Sequence, residues 1–116
     1  MSGMSYKKGY RFEYRVKKFL EERGWFTTRS PASKGVDIIA MKGERKLFIQ
    51  CKKSSKGYIY VYNLGPLIEA GKKEQAEVLL VYGFERTPIY VKPITEDNVK
   101  IKKSDNHMTL EEYLGE

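Results

Sequence analysis

The stretch that decides the fold runs Val36-Asp37-Ile38-Ile39-Ala40-Met41-Lys42-Gly43-Glu44-Arg45-Lys46-Leu47-Phe48-Ile49-Gln50-Cys51-Lys52. Two apolar, β-rich runs, Val36 to Met41 and Lys46 to Lys52, flank a short polar break. Glycine at the first central position of a two-residue loop is the mark of a type II′ hairpin. With Gly43 and Glu44 as that loop, paired positions sum to 87. Asp37 then lies directly opposite Gln50, and directly opposed residues share a face of the sheet. Lys52 is two residues on from Gln50 and shares that face, while Cys51 points the other way with Leu47 and Ile49.

A strand this apolar does not carry Asp37, Gln50 and Lys52 on one face without reason, because an unpaired buried carboxylate costs several kcal/mol. Two arrangements answer the cost. One is an Asp37–Lys52 ion pair at a sheet edge. The other is a metal site, in which Asp37 offers a carboxylate, Gln50 an amide oxygen and Cys51 its backbone carbonyl to a hard divalent cation. Lys52 cannot ligate while protonated. It can place positive charge on a scissile phosphate or orient the attacking water.

Upstream, residues 7–23 read as a helix, with Phe12, Val16, Phe19 and Leu20 on one stripe. Gly24 is its expected stop. Trp25 to Arg29 reads as a short strand, and Ser30 to Gly35 is loop chemistry throughout. Downstream, Tyr58 to Tyr62 alternates as a third strand, with Tyr58, Tyr60 and Tyr62 on one face. Asn63 is expected to cap a helix of Leu64 to Glu77, with Pro66 in its first turn and Leu64, Leu67, Ile68 and Gly71 facing inward. Val78 to Tyr82 and Ile89 to Pro93 read as further strands. Thr109-Leu110-Glu111-Glu112 is a capping box opening a short terminal helix. The fold class is α/β, a mixed central sheet flanked by helices, covered on both faces.

The 116 residues suit one domain, 1–116. A single cysteine excludes an internal disulfide framework and a cysteine-based zinc site. One histidine excludes a His-rich metal centre. No apolar run approaches the ~20 residues of a membrane span, and Met1 to Lys8 lacks the apolar core of a secretion signal. A cytoplasmic location with no membrane partner is therefore expected. The net charge is +7 and the pI about 9.4. That suits a polyanion such as nucleic acid, although lysines also serve merely to solubilise a surface.

Val36-Asp37-Ile38-Ile39-Ala40, the hairpin and Ile49-Gln50-Cys51-Lys52 resemble the PD-(D/E)xK nuclease signature. Gly9-Tyr10-Arg11-Phe12-Glu13 on the first helix, Arg29-Ser30-Pro31-Ala32-Ser33 before the Asp37 strand and the Met108-to-Leu114 tail extend the likeness. Together they resemble the archaeal Holliday junction resolvases of the Hjc type. The resemblance implies a restriction-endonuclease-like fold and a metal-dependent endonuclease that resolves four-way DNA junctions. It implies a catalytic set of Glu13, Asp37, Gln50 and Lys52. Mg²⁺, with Mn²⁺ as the alternative, would be held by Glu13, Asp37, Gln50 and the Cys51 carbonyl. DNA contacts would come from Arg11, Arg29, Ser30, Ser33, Lys34 and Lys53. Because a junction has two symmetric strands to cut, a homodimer is implied.

Two departures stand out. Gln50 occupies the place of the family's glutamate, and Tyr14 follows Glu13 where the family has an arginine. A neutral amide oxygen is a weaker ligand than a carboxylate. The alternatives are a related restriction or repair nuclease, or an inactive nucleic-acid-binding module of the same fold. Several residues also have plainer readings: Glu13 as the border of a solvated helix face, Arg29 as a surface charge and the tyrosine row as packing or an interface. Cys51 reads as core, and His107 is assigned no role.

Overall fold

The computed structural model describes residues 3–29 and 35–115, with side chains from Tyr10 onward. Ser30, Ser33 and Lys34 lie outside the described residues. Helix α1 (Gly3–Glu22) begins earlier than its apolar stripe requires. Phe12, Val16 and Leu20 are buried and Phe19 packs beside them. The helix stops at Gly24, whose φ of +89° is the left-handed turn that glycine adopts without strain.

Strands β1 (Phe26–Arg29), β2 (Ile38–Lys42) and β3 (Arg45–Ser54) follow as an antiparallel meander. The hairpin register is the expected one: Ile38 pairs with Ile49 and Lys42 with Arg45. Gly43 carries the positive φ, +59°, that a type II′ loop needs at its first central position. Asp37 falls one residue before the ladder rather than within the strand.

Strand β4 (Tyr58–Val61) leads into helix α2 (Gly65–Glu74) and then β5 (Glu77–Phe84). β5 lies parallel to β3, with Cys51 opposite Val81 and Lys52 opposite Tyr82. A parallel pair needs a long crossover, and β4 with α2 supplies it. β6 (Tyr90–Pro93), β7 (Val99–Lys102), β8 (Met108–Thr109) and α3 (Leu110–Leu114) complete the chain. The main sheet has the order β1-β2-β3-β5-β6-β8. β4 is not a third strand of that sheet: it pairs with β7 in a separate two-stranded ribbon. The sequence reading leaves out β7, although Asp97-Asn98 and Ser104-Asp105-Asn106 bracket its alternating Val99-Lys100-Ile101-Lys102 with turn residues.

The helix expected at Leu64 to Glu77 is shorter and capped differently. Asn63 does not cap it, because its φ of +61° turns it into the left-handed region. Leu64 takes the N-cap position without a side-chain bond. The Gly65 amide instead donates to Asp97 Oδ1 at 2.8 Å, and the Leu64 amide to the Asp97 carbonyl at 3.1 Å. Gln75, at φ +55°, ends the helix and frees Glu77 for β5. Gly71 is required for packing, since a Cβ there would collide with Val78 Cγ2. α2 thus sits closer to β5 than any side chain at position 71 would allow.

Two cores result, one on each face of the sheet. Phe12, Val16 and Leu20 of α1 pack with Ile38, Ala40, Leu47, Ile49, Leu79 and Val81, and Cys51 lies against this cluster. On the other face Phe48, Leu80, Tyr82 and Phe84 pack with Leu64 and Leu67 and with Ile59, Val61, Val99 and Ile101 of the ribbon. At the starts of β3 and β5, Arg45 clamps Glu77 through two bonds, Nε to Oε2 at 3.0 Å and Nη2 to Oε1 at 2.9 Å. Tyr113 donates to the same carboxylate at 2.8 Å, and Arg45 Nη1 donates to the Leu114 carbonyl at 3.3 Å. The Thr109–Glu112 capping box forms as read from the sequence. Together these bonds fasten α3 to the sheet.

Candidate active site

The far end of the β2–β3 pair is built differently. The Asp37 amide donates to the Ile49 carbonyl at 2.7 Å, and Asp37 Oδ2 accepts from the Cys51 amide at 2.8 Å. Asp37 therefore continues the ladder with its side chain where β2 has run out. In an extended strand the N–H and C=O of one residue project to the same side. The Cys51 carbonyl thus points toward the Asp37 edge, away from β5.

Burial pushes the Asp37 carboxyl above its ordinary value, and the charge of Glu13 pushes the same way. The Cys51 hydrogen bond and the charges of Lys52 and Arg29 oppose the rise. Burial also raises the Cys51 thiol well above its usual value, with Asp37 and Glu13 adding to the effect. Cys51 is a protonated core residue, as the sequence suggested.

Gln50 is the telling neighbour. Its Oε1 is buried and accepts no hydrogen bond. Such an acceptor costs about 1–3 kcal/mol, and it stands beside the Asp37 edge. Among the described residues no three His, Cys, Asp or Glu side chains gather into a metal-sized group. The oxygens available are of another kind: one carboxylate, one orphaned amide oxygen and one backbone carbonyl. That donor set fits a hard, oxygen-seeking divalent cation.

Glu13 reaches this end from α1, held by Arg29, whose Nη2 lies 3.0 Å from Oε1. Arg29 also lies over the Tyr10 ring, 5.0 Å from its centroid. A cleft of about 140 Å³ opens here, lined by Tyr10, Glu13, Tyr14, Lys17, Arg29 and Ile38. Glu13 and Arg29 thus pair with each other across α1 and β1 rather than each standing alone in solvent. The sequence reading named both but missed their pairing, which depends on how α1 crosses β1. Lys52 is exposed at the end of β3, with Lys53 half-buried beside it, and Arg11 is exposed on α1. Among the ion pairs of the described residues there is no Asp37–Lys52 bridge of the kind the ion-pair reading requires.

His107 has a structural role that the sequence did not reveal. Its ring stacks on Tyr90 at 4.4 Å, and its Nδ1 shares a 2.8 Å hydrogen bond with the Tyr82 hydroxyl. Its Nε2 lies 3.0 Å from the Lys103 carbonyl. Burial is the main cause that pushes Tyr82 up to about 12. The only sequence signal was the isolation of one histidine between strands.

A hairpin carboxylate, a Gln-x-Lys on the next strand and a helix-1 glutamate thus lie toward one end of a mixed α/β sheet with helices on its faces. The profile of the archaeal Holliday junction resolvase (Hjc) family matches residues 4–116, and the chain belongs to that family. The crossover junction endodeoxyribonuclease Hjc of Methanocaldococcus jannaschii is 45% identical over 56 residues, 48% of this chain and 42% of that relative. The match thus spans less than half of that relative's length. The fold is similar to that of Archaeoglobus fulgidus Hjc, a Holliday junction resolvase, with a TM-score of 0.82 at 24% identity. That alignment covers 94% of this chain and 97% of the other. Among the described residues no helix is long and apolar enough to cross a membrane.

Proposed function

We propose that residues 1–116 act as one nuclease domain that resolves four-way DNA junctions by phosphodiester hydrolysis. The observation that carries this is the Asp37 carboxylate, fixed by the Cys51 amide, beside the buried and unpartnered Oε1 of Gln50. Asp37, Gln50 Oε1 and the Cys51 carbonyl would hold Mg²⁺, or Mn²⁺ in its place. Such an ion supplies Lewis-acid stabilisation of the phosphate and a water of lowered pKa.

The chain's own groups do the rest. Lys52, exposed at the strand end, directs positive charge at the phosphate and orients the water. Arg29 is a guanidinium fork suited to phosphate oxygens. When it turns to the DNA, Glu13 is released to join the ligand set. Arg11, Lys53 and the Ser30, Ser33 and Lys34 segment supply further DNA contacts. Junction symmetry asks for a homodimer with two sites on one DNA face, working in the cytoplasm.

A synthetic four-way junction, with and without Mg²⁺, tests the reading against linear duplex. Symmetric paired cuts on the junction alone are expected. Cutting of duplex at the same rate supports the restriction or repair alternative, and metal-independent binding without cutting supports the inactive module. Wild type mixed with Asp37→Asn should leave junctions nicked on one strand, and light scattering should give twice the chain mass.

A further inference from the structure

The β4–β7 ribbon is two-faced in a way the nuclease centre does not explain. Its inner residues, Ile59, Val61, Val99 and Ile101, are buried in the second core. Its outer residues are tyrosines and lysines. Tyr58 stands opposite Lys102 and Tyr60 opposite Lys100. Tyr58, Tyr60 and Tyr62 are 49%, 51% and 59% exposed, so about half of each residue meets solvent. The Tyr60 and Tyr62 rings lie 5.4 Å apart, tilted by 40°. Tyr58, Lys100 and Lys102 line an open groove with Gly57 and Ser104. Neither Lys100 nor Lys102 takes part in the ion pairs of the described residues. The acids nearest in the chain turn to the backbone: Asp105 accepts the Lys102 amide and Asp97 the Gly65 amide.

We infer that this outer face binds an unpaired DNA strand, with bases stacked on the tyrosines and phosphates beside Lys100 and Lys102. Three considerations select that occupant. Aromatic rings interleaved with cations are the pattern that single strands require, since every base has a π-face and every linkage a charge. A duplex hides those π-faces in its own stack, so it would use the lysines and leave the tyrosines idle. A second copy of the chain fits poorly, because a two-fold contact would bring lysine rows of like charge together, and lysine is depleted at such interfaces. Alternate side chains along a strand stand roughly 6.6 Å apart, so the row offers successive platforms to an extended strand. This inference rests on the reading of the chain as a DNA enzyme. It assigns a substrate feature to it: branched DNA carrying an unpaired segment.

The test is fluorescence anisotropy of a labelled oligo-dT against a duplex of equal length, at one salt concentration, with light scattering of each variant. Tyr60→Ala should weaken oligo-dT binding about five- to hundredfold, the range for loss of one stacked base, and change duplex affinity less than about twofold. Tyr60→Phe keeps the ring and should bind like wild type. Across a salt series, Lys100→Gln should reduce the slope on oligo-dT by about 0.7. An equal loss on duplex and single strand, or no loss on oligo-dT, overturns the inference. So does a fall of Tyr60→Ala from two-chain to one-chain mass, which would make the face an interface between copies. Junction cutting is read separately. A protein that cuts no junction yet needs Tyr60 for oligo-dT keeps this inference and loses the resolvase reading. One that cuts junctions with Tyr60 immaterial to oligo-dT does the reverse.

Discussion

The two ends of the β3 strand each hold a carboxylate, and they treat it in opposite ways. At the start, Glu77 receives two bonds from Arg45 and one from Tyr113. The Arg45 bond leads in holding its pKa below the ordinary glutamate range, against the effect of burial. Near the other end, Asp37 has one amide bond, a neighbouring Glu13 charge and a pKa raised by burial. Beside it Gln50 keeps an oxygen buried without a donor. At the first end the carboxylate is satisfied and fastens α3 to the sheet, although Trp25 Nε1, whose ring lies under Arg45, is a buried donor without an acceptor. The second leaves one acceptor, Gln50 Oε1, without a donor beside a carboxylate whose pKa is raised, a combination expected at functional sites.

The largest effect should come from Asp37→Asn, which removes the ligand charge and keeps the shape. Cleavage of a four-way junction in Mg²⁺ should fall at least about a hundredfold, while gel-shift affinity holds or tightens. The same change should raise the melting temperature at neutral pH. A carboxyl with a raised folded-state pKa contributes stability below its ordinary value of 3.8 and loses it as pH rises through the raised value. A neutral amide in its place avoids that loss. Retained metal-dependent cutting would break the contrast between the two ends.

Gln50→Glu comes next. It should lower the Mg²⁺ concentration for half-maximal cutting by about tenfold, since a charged oxygen replaces a neutral one. Complete inactivity would mean that the neutral amide itself is required.

Arg45→Ala sharpens the other side. It should cost about 1–2 kcal/mol in urea unfolding, a partly exposed bidentate pair being worth less than a buried one, and should leave junction affinity alone. The smallest effect belongs to Glu77→Gln. Glu77 contributes stability above the ordinary glutamate value of 4.5 and loses it as pH falls through its lowered value. The variant should flatten the acid limb of stability against pH. An acid limb unchanged by Glu77→Gln would place the titrating group elsewhere.

The hairpin was the most legible part of the chain, because Gly43 fixes the loop and period-two alternation fixes every face after it. Its register, and the face shared by Leu47, Ile49 and Cys51, are as read. The Thr109 capping box was equally plain, being a purely local signal. What escaped the sequence depends on contacts between distant segments. Asn63 looks like a helix cap by type, yet Asp97 outcompetes it from another loop. β4 alternates like any sheet strand, but only β7 tells which sheet it joins. At the site, spacing alone predicts Asp37 opposite Gln50, but the ladder ends at Ile38 and Ile49, and the Asp37 amide donates to the Ile49 carbonyl instead. Spacing could not place the Arg29–Glu13 pair, which needs α1 laid across the sheet.

The cap on α2 has a consequence for the order in which the chain folds. Its donor, Gly65, and its acceptor, Asp97, are 32 residues apart. The helix is ten residues long, too short to persist alone in water. α2 therefore cannot be finished when its own residues leave the ribosome. It must wait until the chain has laid down β5 and β6 and turned back toward β7. Asp97→Ala should accordingly speed unfolding and leave the folding rate nearly unchanged, the kinetic mark of a contact made after the transition state.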